Sequence, residues 1–178
     1  MESTDYGELA FGSYQDALAM VGVAAEPIHA EVPVEIGQIR ALAALVQDPN
    51  PCFWSDACST DLWGVQVAPS AILVALFQPY RWHPEREPVL PFGARVPLPG
   101  PTLINARTEN TFHRQLRLGD RLSVVERVQA VSPRKRTRLG VGHFVTTTAD
   151  YRDADGKVIA EGVNTLFRFG EPTDRDAR

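Results

Sequence analysis

Two hydrophobic periods run along the chain, and they meet near residue 102. In Val34-Glu-Ile-Gly-Gln-Ile-Arg-Ala-Leu-Ala-Ala-Leu-Val46, the residues Ile36, Ile39, Leu42, Ala43, Leu45 and Val46 recur at near-helical spacing and predict an amphipathic helix. Asp48-Pro-Asn-Pro51 stops it. Ahead of Pro79, the stretch Pro69-Ser-Ala-Ile-Leu-Val-Ala-Leu-Phe-Gln-Pro-Tyr-Arg-Trp82 is apolar on nearly every side, the mark of a helix surrounded by protein. Pro69 suits its first turn, where no N–H is required. A central helix over 69–82 is expected.

Residues 83–102 hold six prolines together with Gly93 and Gly100, which predicts an extended loop without helix or ladder, placed as a lid or pocket wall. Beyond it the period becomes two, with strands expected at roughly 103–116, 121–132, 138–152 and 157–169. Leu118-Gly-Asp120 and Asp153-Ala-Asp-Gly156 read as the hairpin turns between them, the second because Asp-Gly supplies a positive φ. Four consecutive strands imply an antiparallel meander. With one buried helix ahead of it, the expected architecture is α+β, a curved sheet wrapped around a helix.

Length and composition narrow this further. The 178 residues fit one domain, and 44% hydrophobic with 22% charged residues excludes a disordered or fibrous chain. The longest apolar stretches, Ala17 to Ala25 and Ala71 to Phe77, fall short of the ~20 residues that cross a bilayer. An acidic start, Met1 to Glu8, is unlike a secretory signal, so a cytoplasmic location with no membrane partner is expected. Cys52 and Cys58 do not make a C-x-x-C pair and read as two free thiols. His and Cys show no metal-ligand spacing, and neither a metal nor a cofactor is expected.

The net charge of −4 conceals an uneven distribution: residues 1–102 balance at −8, 103–142 at +6 and 143–178 at −2. Positive charge is densest in Pro133-Arg-Lys-Arg-Thr-Arg138, which reads either as a solvated hairpin tip or, beside a pocket, as a site for a phosphorylated ligand. A pI near 5.6 argues against nucleic acid as a partner.

Four segments carry a resemblance to a known family: Gln47-Asp-Pro-Asn-Pro-Cys-Phe-Trp54, Gly64-Val-Gln-Val-Ala-Pro-Ser70, Thr111-Phe-His-Arg-Gln-Leu-Arg-Leu-Gly-Asp120 and Asn164-Thr-Leu-Phe-Arg168. In order and spacing they resemble the MaoC-like, or FAS1-like, dehydratase domains, which have the hot-dog fold. The resemblance covers about residues 21–169, leaving 1–20 as an N-terminal extension and 170–178 as a frayed tail. It is nearest to the degenerate MaoC-like part of actinobacterial steroid side-chain enoyl-CoA hydratases.

The resemblance implies a chemistry and two departures from it. Active members hydrate trans-2-enoyl thioesters, or dehydrate 3-hydroxyacyl thioesters, with an Asp and a His that hold the water and a backbone N–H that stabilises the thioester oxyanion. Their D-x-N-P-x-H motif is matched here by Asp48, Asn50 and Pro51, but Phe53 stands where the His belongs. Ala68-Pro69 replaces a His-Gly pair, and Pro69 has no N–H to offer. Both losses imply a silent half of a heteromer, a dimer or tetramer completed by a catalytic MaoC-like subunit.

Asp48 with a displaced His83 is the candidate pair for a self-sufficient enzyme, and a homodimeric acyl-CoA binding module is a further alternative. His113 and His143, in expected strands, read as packed or exposed ladder residues. Trp54, Trp63, Val67, Ala68, Ser70 and Phe77 are the candidate acyl contacts, with Tyr80 and Trp82 nearby. In place, Arg134, Lys135, Arg136 and Arg138 correspond to the segment that meets the phosphates of coenzyme A, the thioester being substrate and not cofactor.

Overall fold

Period-two segments after residue 102 become long strands because their β-branched and aromatic residues pack on a pleated surface. The computed structural model describes residues 9–79, 83–85 and 90–171. In chain order it contains α1 (Tyr14–Ala19), β1 (Ile28–His29), α2 (Ile36–Leu45), α3 (Asp56–Trp63), β2 (Val67–Ala68), α4 (Ile72–Phe77), β3 (Thr102–Phe112), β4 (Leu116–Arg117), β5 (Ser123–Val131), β6 (Lys135–Arg136), β7 (Val141–Arg152) and β8 (Val158–Gly170). Short 3-10 turns occupy Pro51–Phe53 and Phe92–Arg95.

The main sheet is antiparallel with the order β1-β5-β7-β8-β3, and β6 is attached to β7. This corrects the expected four-strand meander, since β3 pairs with β8 and lies across the sheet from β5. Between β3 and β5 the chain passes through β4, which pairs with β2 just ahead of α4. The Leu118-Gly-Asp120 turn forms, with Gly119 at φ 84°, but it joins two strands that do not pair. Asp153-Ala-Asp-Gly156 does close the β7–β8 hairpin, with Gly156 at φ 79° and the Asp153 N–H donating to the Lys157 carbonyl at 3.0 Å.

The central helix is much shorter than the expected 69–82. Helix α4 starts after Ala71 and ends at Gln78, which is extended at ψ 120° immediately ahead of Pro79. An α conformation at Gln78 would crowd the proline ring that follows. Tyr80 and Trp82 lie outside the described residues. Nor is the helix wrapped on all sides: Ile72 and Leu73 are buried, while Val74 is 48% exposed.

The proline-rich loop also differs from its expectation, because Phe92–Arg95 makes a turn of 3-10 helix and Phe92, Ala94, Val96 and Leu98 are buried. Phe92, Val96 and Leu98 pack with Val128, Val131 and Val145 of the sheet and with Ala17 of α1. Tyr14 stacks on His143, with ring centroids 4.9 Å apart. The described part of the first twenty residues is therefore packed on the sheet. A second cluster joins Ile39 and Ala43 of α2, Phe53, Ala68, and Ile72 and Leu73 of α4. No helix among the described residues is long and apolar enough to cross a membrane.

Arg168 is fully buried and bridges distant segments. Its guanidinium donates to the carbonyls of Gly100, Ala10 and Leu98, and it lies over the Phe11 ring. Burial works against the charge, and no carboxylate pairs with it among the described residues.

Candidate functional site

The Asp48 segment folds as a closed turn. Helix α2 stops at Gln47, which takes a positive φ of 54°, and the Asp48 N–H donates to the Ala43 carbonyl at 2.8 Å. Asp48 Oδ1 accepts the Asn50 N–H at 2.9 Å, and Asn50 Oδ1 accepts the Cys52 N–H at 3.1 Å. Each short polar side chain thus caps the backbone two residues ahead, as Asp and Asn do in turns. Trp54 Nε1 donates to the Asp48 carbonyl at 2.9 Å. Phe53 points into the core and is 9% exposed.

Gln66 ties this turn to the start of α4. Its buried amide donates to the Cys52 carbonyl at 2.6 Å and to the Val67 carbonyl at 2.9 Å. Val67 and Ala68 are buried in the small β2–β4 ladder, so Ala68 and Phe53 meet in one cluster. Pro69 and Ser70 follow, and their carbonyls accept from the N–H groups of Ile72 and Leu73 at 3.1 Å. Ser70 is exposed. Phe53 and Ala68, with Pro69 next in the chain, therefore occupy one neighbourhood, and neither a phenyl ring nor a proline nitrogen can move a proton or donate to an oxyanion.

A cleft of about 220 Å³ opens between α4 and the inner face of the sheet. Three rows of inward-facing residues cross the strands beneath it. One runs Val124, Tyr151, Ala160, Phe112; the next runs Glu126, Ala149, Gly162, Asn110; the third runs Val128, Thr147, Asn164, Thr108. Val74 and Phe77 form part of the helix side, and the Phe77 and Tyr151 rings lie 5.5 Å apart. Burial pushes the Tyr151 phenol up to about 12, with the Glu126 charge adding to the effect. Burial also raises Glu126 above the usual Glu value, against the Phe92 N–H that it accepts and the charge of Arg95.

Among the described sequence candidates, Phe77 alone lines this cleft. Trp54 and Trp63 stand outside it, 44% and 52% exposed. His83 Nδ1 accepts the Glu85 N–H at 3.1 Å and is thus engaged in its own turn, as Asp48 is in its own. His113 pairs with Glu161 at 2.9 Å on the surface. His143 is buried and donates through Nδ1 to the Ser132 carbonyl at 2.9 Å, fixing its tautomer. The exposed basic residues Arg134, Lys135, Arg136 and Arg138 surround the short β6–β7 ladder, grouped as the charge run indicates.

Glu126 and Tyr151 were not singled out from sequence. The signal was present in the alternation of β5, where Val124, Glu126 and Val128 share a phase that turns the carboxylate inward with the two valines. Gly162 and Asn110 carry no such local mark, since only the β3–β8 register brings them together.

A sheet curled over one short helix, with a cleft between them, is the hot-dog arrangement of hydratases and dehydratases. The chain belongs to the FAS1-like dehydratase family, whose model of the FAS1-like dehydratase domain region matches residues 19–162. A protein of Thermomonospora curvata named as a probable enoyl-CoA hydratase alpha subunit is 33% identical over 154 residues, covering 81% of this chain and 47% of that relative. The chain thus spans about half the length of this curated relative.

Among solved structures, a chain of the ChsH1-ChsH2 complex from Mycobacterium tuberculosis superimposes with a TM-score of 0.73 at 22% identity, covering 88% of this chain and 96% of that one. A chain of the HadBC 3R-hydroxyacyl-ACP dehydratase complex from the same organism gives 0.54 at 20% identity, covering 83% and 96%. These two similarities establish a shared fold.

Proposed function

We propose that this chain is the non-catalytic subunit of a heteromeric (R)-type 2-enoyl-CoA hydratase, or 3-hydroxyacyl dehydratase, acting on a bulky acyl-CoA such as one with a steroid side chain. The observation that carries the reading is the joint placement of Phe53 and Ala68-Pro69 in one neighbourhood, at the positions where active relatives keep a proton-transfer group and an oxyanion donor. Loss of one oxyanion donor alone costs roughly 10²–10³ in rate. Losing the His as well leaves the chain dependent on a partner.

In this reading a catalytic MaoC-like subunit supplies the Asp/His pair and the oxyanion donor across a pseudo-two-fold interface, as a heterodimer or a pair of them. This chain contributes a wall of the acyl tunnel from the cleft beneath α4. Its basic turn at Arg134, Lys135, Arg136 and Arg138 meets the phosphates of coenzyme A, which is part of the substrate, and no cofactor or metal takes part. Support comes from the two-component complexes among the similar folds and from the subunit naming of the Thermomonospora curvata relative.

A self-sufficient site built from Asp48 and His83 is less well supported, because each is held in its own local turn. The test is hydration of 2-enoyl-CoA substrates by the purified chain, alone and with a MaoC-like partner that keeps D-x-N-P-x-H. No turnover alone and turnover in the mixture are expected. Robust turnover by the lone chain would sink the reading.

A further inference from the structure

The middle row beneath the cleft has an unusual profile. Its ends are polar, Glu126 and Asn110, and its two central residues, Ala149 and Gly162, carry almost no side chain. The neighbouring rows hold larger groups, Val124 with Tyr151 on one side and Val128 with Thr147 on the other. A trough therefore runs across four strands, with a span of about 14 Å from β5 to β3 at the usual strand spacing.

Gly162 keeps its floor open. A Cβ there would stand 2.8 Å from Asn110 Oδ1, 3.2 Å from the Tyr151 ring and 3.4 Å from the Ala149 Cβ. The same distances show that the Asn110 amide leans over the glycine into the trough. At the opposite end, Glu126 is half-buried and accepts the Phe92 N–H. A carboxylate has more acceptor capacity than one N–H fills.

An occupant made only of hydrocarbon would strip water from Glu126 and Asn110 without replacing its hydrogen bonds. One that carries a hydroxyl at the β5 end of the trough would satisfy the spare acceptor capacity of Glu126. We propose that Glu126 is a specificity-determining residue, which selects a bulky acyl group bearing a hydroxyl distal to its thioester and lying over the Ala149–Gly162 floor. This rests on the reading of the cleft as a wall of the acyl tunnel, and it adds the chemistry of the group that enters.

The experiment compares two probes that differ by one hydroxyl remote from the carboxylate, lithocholate and 5β-cholanate, binding to the full chain in calorimetric titrations. Lithocholate is expected to bind about tenfold more tightly, since sites built to bond a hydroxyl reject the analogue that lacks it. Glu126→Leu should bring the ratio below about twofold without weakening 5β-cholanate. Glu126→Gln keeps an acceptor for both the ligand and the Phe92 N–H, and should retain most of the preference.

If Glu126 only tethers the Phe92 turn, Glu126→Leu weakens both acids equally and the ratio survives, which overturns the assignment. Equal affinity in the unmodified chain, or no binding of either acid, overturns it as well. Binding is read on this chain without a partner, so a preference that holds while every enoyl-CoA and partner fails separates this inference from the proposed function. Turnover in the mixture with no hydroxyl preference separates them in the other direction.

Discussion

Trp54 donates its indole N–H to the main-chain carbonyl of Asp48 at 2.9 Å, closing a turn in which the Asp48 carboxylate is already bonded to the Asn50 N–H. The Asp48 carboxylate thus serves as a cap within its own turn. Asp48→Asn retains the Oδ1 acceptor, so kcat of the reconstituted complex should stay within about threefold of the original, as steady-state kinetics will show. A loss of several orders of magnitude would mean that Asp48 takes part in the chemistry after all.

Four cations around β6 give a different signature. Replacing Arg134, Lys135, Arg136 and Arg138 with Ala should raise KM for an acyl-CoA about tenfold and leave kcat within about twofold, because the phosphates lie far from the reacting carbons. The effect should shrink as salt rises, since these side chains are exposed and screened beyond about 10 Å at 0.1 M ionic strength. Kinetics at two ionic strengths check both parts.

Arg168 predicts a stability effect. Arg168→Met leaves the carbonyls of Gly100, Ala10 and Leu98 without their donor in a buried setting, at a cost of about 2–4 kcal/mol. Denaturant unfolding measures it. Arg168→Lys should recover part of the loss, because one ammonium can reach some of those oxygens but cannot fork toward all three.

Glu126 gives a pH dependence whose sign follows from burial. Its value in the folded chain lies above the ordinary 4.5, so between that value and the raised one the folded state binds more protons than the unfolded state. Stability therefore falls as pH rises through this window and stays lower above it. Glu126→Gln should raise Tm at pH 8 and leave it unchanged at pH 4, in thermal melts followed by circular dichroism.

How much of this was legible from sequence differed by element. The four long strands and the Asp153–Gly156 hairpin follow from alternation and turn chemistry, which are local. The place of β3 beside β8 does not, because it depends on a crossover held by the pairing of Leu116 with Ala68. Apolar content alone overstated α4, where Pro79 and the extended Gln78 set the limit. At the site, Phe53 and Pro69 could be read as departures from a motif, while the cleft is made by residues from five strands that share no motif. Alternation does point Glu126 inward, but a lone Glu among valines on β5 resembles an ordinary solvent-facing position until the sheet is assembled.

The strand order also dictates when the domain can form. β8 follows the other strands in the chain, yet it sits between β7 and β3 and holds the longest ladders with both. During synthesis β3 has no partner for the more than forty residues that separate its end from the start of β8. A ribosome-bound chain stopped before residue 158 would present the β3 backbone and the open edge of β7 to any chaperone or sticky neighbour. Folding should therefore complete in one late step, and premature termination anywhere ahead of β8 should yield insoluble product in place of a smaller working domain.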